Sequence, residues 1–204
     1  MVKYKNENIF LKPKEKLLKY LIENKEAHSV LEVSGAVIMD YKNTYNLIKE
    51  LSPVVISKEK IGNTSLVKLN LIPNLDISST EEKRTEEFLL NNPKLRVLRK
   101  YILDLSYPFL IVLLFGSYVK KKNLENSDID LCIICDNKEK SNELIKQLGI
   151  ISLKLEIQEF TSEEFISMTE KKHNNLGHEI VKNNIILYGV ENYYHLISKW
   201  TKIE

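Results

Sequence analysis

One stretch limits this 204-residue chain more than any other: LLFGSYVKKKNLENSDIDL, from Leu113 to Leu131. A hydrophobic run ends in Gly116-Ser117, ten residues intervene from Tyr118 to Ser127, and a second apolar segment opens with Asp128-Ile129-Asp130. Successive side chains of a strand point to opposite faces, so a strand here puts Asp128 and Asp130 on one side. Two carboxylates aimed at one point repel each other unless a cation lies between them. Hard oxygen ligands suit Mg²⁺, which seldom has a full protein cage and borrows oxygens from substrate phosphates. Gly116 lets backbone approach a phosphate closely, and Ser117 adds a hydroxyl donor. The pattern points to metal-assisted attack on a nucleotide phosphate.

Lys120, Lys121 and Lys122 follow the Gly-Ser pair. They read either as a solvated loop or as cations that screen a triphosphate tail. Farther on, IISLKLEIQEF alternates, with Leu153, Leu155 and Ile157 on one side and Lys154, Glu156 and Gln158 on the other.

Gly-Ser, ten residues and Asp-Ile-Asp resemble the signature of the nucleotidyltransferase superfamily of DNA polymerase β type, especially its minimal nucleotidyltransferase branch. The resemblance extends over roughly Lys94 to Gly189, and the ending HEIVKNNIILYG is also similar to the close of minimal nucleotidyltransferases. It implies Asp128 and Asp130 as catalytic metal ligands. It also implies a third carboxylate from a later strand, a place that Glu156 matches although the family more often has Asp there. Glu159 is the fallback and lies on the opposite face. Gly116, Ser117, Lys120 and Lys121 would bind the nucleotide. Two Mg²⁺ ions and ATP as substrate follow from the same resemblance, with AMP passed to an acceptor hydroxyl. Such proteins include antitoxins that adenylylate a tyrosine of a small helical toxin, and enzymes that modify antibiotics or RNA ends.

The N-terminal third is organised differently. Pro13 stands at a first helical position, with Leu17, Leu18, Leu21 and Ile22 on one face; His28 to Ser34 is a shorter segment ending at Gly35; Asp40 caps YKNTYNLIKELS. Pro53 stops that helix, and two strand-like runs surround Gly62-Asn63. From Phe10 to Leu71 this order resembles a winged helix-turn-helix domain. The resemblance implies DNA contact through Tyr41, Lys42, Asn43, Asn46 and Lys49 of the third helix and through Lys58 and Lys60 of the hairpin, although such domains also dock proteins. Met1 to Asn74 holds twelve Lys against eight acidic residues, so it carries +4 of a chain whose net charge is +2, leaving −2 for the rest.

Pro73-Asn74 marks a boundary. The expected organisation is a winged helix-turn-helix domain over residues 1–74, a connecting helix over 75–92 opened by a Ser79/Glu82 capping box, and a nucleotidyltransferase domain over 93–204. The fold class is α+β, with a small mixed sheet flanked by helices. In the helix KLRVLRKYILDL, Leu95, Leu98, Ile102 and Leu105 face the core while Arg96, Arg99 and Lys100 point away; Ser141 caps a later helix that Gly149 ends. Cys132 and Cys135 fall in a strand with no second CxxC and read as core residues, and the four His do not cluster as ligands. No apolar run spans a bilayer and the start lacks a signal-peptide core, so a cytoplasmic protein is expected. A DNA-binding domain on the same chain favours a protein hydroxyl, as in toxin–antitoxin pairs, as the acceptor. The rival is a DNA-binding regulator whose nucleotidyltransferase domain senses nucleotide or is inactive. Oligomeric state, a homodimer included, is not fixed by the sequence.

Overall fold

The computed structural model describes residues 11–62, 64–120, 128–170 and 175–198. The chain divides into two compact units between Lys83 and Arg84.

The first unit begins with α1 (Pro13–Glu23), where Pro at the first turn needs no N–H partner and Leu17, Leu18, Leu21 and Ile22 are buried. Two residues of strand, β1 (His28–Ser29), precede α2 (Val30–Ala36). Ser29 caps this helix, its hydroxyl accepting from the Glu32 N–H while Glu32 accepts from the Ser29 N–H. In α3 (Tyr41–Leu51) the Asp40 carboxylate accepts from the Asn43 N–H at 3.0 Å, and Thr44, Ile48 and Leu51 face inward. A hairpin of β2 (Ile56–Ile61) and β3 (Thr64–Leu69) follows, and β1 adds to β3, giving an antiparallel sheet in the order β1-β3-β2. Ile56, Val67 and Leu69 close the core over the helices.

Helix α4 (Leu75–Leu90) corrects the expected capping box. It opens at Leu75, with the Asn74 side chain accepting from the Asp76 N–H at 2.9 Å, so Ser79 and Glu82 lie inside it. An earlier acceptor was available, and the buried Ile77 rewards starting there.

The second unit contains α5 (Pro93–Leu105), β4 (Ile111–Phe115), β5 (Ile129–Ile134), α6 (Lys138–Leu148), β6 (Leu155–Phe160), α7 (Ser162–Thr169), α8 (Leu176–Lys182), β7 (Ile185–Tyr188) and α9 (Val190–Ile197). Its sheet has the order β6-β5-β4-β7; only β5 and β6 run parallel. Each of the five residues of β4 is buried, as a continuous apolar run requires of a central strand covered on both faces. Ile129, Leu131 and Ile133 of β5 pack with Leu95, Leu98 and Ile102 of α5 and Leu144 and Leu148 of α6. Asp130 alternates to the other face, where α8 and α9 pack against β4.

Two polar residues lie elsewhere than expected. Arg99 is buried: it donates from Nε to the Leu187 carbonyl at 3.1 Å and pairs with Glu86. Ser141 is also buried, one turn inside α6, whose cap is Asn137; its hydroxyl donates to the Glu159 carboxylate. In both cases an acceptor on a neighbouring element claimed a side chain that helical spacing assigned to solvent or to a cap. Cys132 and Cys135 are buried free thiols, and burial pushes both upward from the ordinary thiol pKa.

Candidate active site

The site grows from the register of three strands. Phe115 of β4 pairs with Asp130 of β5, and Asp130 pairs on its other side with Glu156 of β6. Gly116 therefore leaves β4 directly beside Asp130. Its φ is +73°, and a Cβ there would overlap the Asp130 carboxylate and stand 2.7 Å from Asp130 Cγ. Glycine is required at this point because the carboxylate occupies the space of a side chain. The chain then turns, with the Lys120 N–H donating to the Gly116 carbonyl at 3.2 Å. The Ser117 backbone N–H donates to the Asp130 carboxylate. In this structure the close approach at Gly116 is thus to Asp130, and it is the backbone of Ser117 that touches the site's central acid.

Burial is the main influence holding the Asp130 carboxyl above its usual pKa; the Ser117 N–H pulls the other way, and Glu156, Asp128 and Glu179 add negative charge nearby. Asp128 precedes the first strand residue and is exposed, as is Glu156, while Asp130 is half-buried. The Gln158 amide lies 3.4 Å from Glu156 Oε1. Glu159 stands apart, held by Lys138 and Ser141, which lower its pKa. Among the described residues no group of three or more His, Cys, Asp or Glu side chains is placed to hold a metal ion. Asp128, Asp130 and Glu156 are nevertheless hard oxygen donors, the kind taken by a divalent cation that shares its shell with a phosphate.

Lys120 is half engaged: its Nζ donates to Glu179 Oε1 of α8 at 2.6 Å. Lys121 and Lys122 lie outside the described residues. Glu179 is the acid that sequence reasoning missed. It sits 59 residues from Lys120, and no spacing rule links them.

In the first unit Tyr41, Lys42, Asn43, Asn46 and Lys49 are all exposed on α3, and Lys58 and Lys60 are exposed on β2. Tyr41 stacks on Tyr45 with ring centroids 6.3 Å apart, and Lys58 Nζ lies 4.5 Å from the Tyr45 ring centroid. The Asn43 amide donates to the Asp40 carboxylate.

The second unit thus combines a small mixed sheet with a glycine turn packed against the Asp130 carboxylate. Residues 101–192 match the family described as Polymerase beta, Nucleotidyltransferase, which supports a nucleotidyltransferase domain in this part of the chain. No curated protein and no solved structure matches the chain. Among the described residues no helix is long and apolar enough to cross a membrane.

Proposed function

We propose that this protein is a Mg²⁺-dependent nucleotidyltransferase that moves AMP from ATP onto an acceptor hydroxyl, with a partner protein as acceptor in the manner of toxin–antitoxin pairs. The observation that carries the reading is the strand register, which sets Asp130 between the start of the Gly116-Ser117 turn and Glu156. Asp128, Asp130 and Glu156 would hold two Mg²⁺ ions, which when bound supply charge neutralisation on the triphosphate and activate the acceptor oxygen. The chain's own part is positioning. The Ser117 N–H orients Asp130, the Gly116 turn leaves room for the Asp130 carboxylate, and Lys120 adds a cation at the edge of the turn. Such transfer needs no covalent enzyme intermediate.

Replacing Asp128 and Asp130 together by Asn removes ligand charge and preserves shape. Mg²⁺-dependent ATP binding and transfer should fall to background while the circular dichroism spectrum and melting transition persist. Undiminished transfer by the folded double variant would refute the assignment. For the acceptor, labelled ATP, Mg²⁺ and the product of the adjacent gene are incubated together and the label is located by mass spectrometry. Label on RNA or a small molecule, with none on protein, rejects the protein acceptor and leaves the transfer chemistry standing.

A second reading is that of a DNA-binding regulator in which the nucleotidyltransferase domain senses nucleotide. The exposed lysines of α3 and β2 favour DNA contact by the first unit, which under this reading is a winged helix. Binding to duplex DNA should then weaken steeply with salt, and Lys42→Ala with Lys49→Ala should flatten that slope by about two counterions. A salt-independent interaction, or none at low salt, makes the unit a protein-docking module.

A further inference from the structure

Lys120 and Glu179 form an ion pair joining the turn after β4 to α8. Several contacts fix the Glu179 end. Asn175 accepts from the His178 N–H at 3.1 Å and donates to the Met168 carbonyl at 2.7 Å. His178 Nε2 lies 2.8 Å from the Thr169 carbonyl oxygen, which makes that nitrogen the protonated one. Gly177 is buried where a Cβ would meet Met168 Cγ at 3.0 Å and Thr169 Cγ2 at 3.1 Å, so α8 lies tightly against α7. A carboxylate on so constrained a turn is a fixed anchor, whereas a lysine is a flexible stem. The Lys120 N–H donates to the Gly116 carbonyl at 3.2 Å, and Gly116 lies against the Asp130 carboxylate. The pair therefore borders the carboxylates.

We propose that Glu179 is a positioning residue that parks Lys120 beside the carboxylates and gives it up to the polyphosphate of the incoming nucleotide. This rests on the nucleotidyl-transfer reading and adds a residue that the signature does not contain. The side chains are 37% and 42% exposed, and an ion pair this open biases its partners by no more than about fivefold. A triphosphate, with more charge and more acceptor oxygens, outcompetes one carboxylate for the ammonium group. Glu179 thus opposes nucleotide binding slightly, by holding Lys120 and by repelling phosphate, and in exchange keeps the lysine from wandering.

The test is isothermal titration of the full-length protein with ATP and with inorganic tripolyphosphate, each with Mg²⁺, using wild type, Glu179→Gln, Glu179→Asp, Lys120→Met and the double variant Lys120→Met/Glu179→Gln. Glu179→Gln should bind both ligands about two- to fivefold more tightly, with AMP binding unchanged. Glu179→Asp should lie near wild type, and most of the gain should vanish in the Lys120→Met background. Equal affinities of wild type and Glu179→Gln, or a gain that survives intact without Lys120, would overturn the proposal while wild-type binding still upholds the transfer reading. Failure of wild type to bind either polyphosphate would overturn both. Thermal melts of each variant separate these outcomes from loss of fold.

Discussion

Glu159 and Asp130 are carboxylates on neighbouring strands with opposite fates. Glu159 is held below its usual pKa by Lys138, then by the Ser141 hydroxyl. Its folded pKa is depressed, so the stability it contributes is present above the unfolded carboxylate pKa and disappears as pH falls through the folded one. Glu159→Gln should therefore lower the unfolding free energy by roughly 1 kcal/mol at pH 7, the exposed Lys138 being discounted for screening, and by less near pH 3. Chemical denaturation at the two values checks this; an equal loss at both would mean packing rather than charge. Asp130 is raised instead, chiefly by burial and further by the acids around it, so its ionisation works against folding. This contrast was only half legible in the sequence. Alternation along IISLKLEIQEF separated Glu156 from Glu159, and the Gly-Ser and Asp-Ile-Asp spacing identified Asp130. The helical residues that add to each acid's ionisation, Lys138 and Ser141 at Glu159 and, more weakly, Glu179 at Asp130, come from helices whose packing no local period encodes.

At the scale of elements, β7 ends the sheet with one strand neighbour, and helices supply donors to its backbone. Arg84 Nη1 donates to the Asn184 carbonyl at 2.9 Å, Thr85 Oγ1 to Ile186 at 3.0 Å and Arg99 Nε to Leu187 at 3.1 Å. The Asn184 side chain adds a bond to the Tyr193 hydroxyl at 2.8 Å. An edge dressed in this way is poorly available to a foreign strand. Thr85→Val keeps volume and removes only the hydroxyl at a fully buried position. It should cost about 1–2 kcal/mol, read as a fall in melting temperature; an unchanged melt would show that Ile186 needs no such donor. Hydrophobic periodicity placed these elements well because it reports which side of a helix is apolar. It could not report that Arg99 turns inward, since a buried arginine announces itself only through the carbonyl it meets.

For the whole molecule, the boundary in α4 decides what can be cut. The expected nucleotidyltransferase domain over residues 93–204 excludes Arg84, which serves the Asn184 carbonyl just before β7, Thr85, which serves the Ile186 carbonyl within it, and Leu89, which joins the core of the second unit. A fragment of residues 75–204 should fold with a cooperative transition, whereas 93–204 should melt at least several degrees lower or aggregate, each lost buried contact costing roughly 1–3 kcal/mol. Equal melting temperatures would show α4 to be dispensable. A different limit follows from the sheet order. Glu156 rides on β6, which pairs with β5 alone, while Asp130 belongs to a strand zipped along both sides. Strands held on one side open at lower free energy than those held on two. If the three carboxylates share a cation as proposed, Glu156 is the ligand whose strand opens most readily, and the hem of the sheet then limits how long the ion stays.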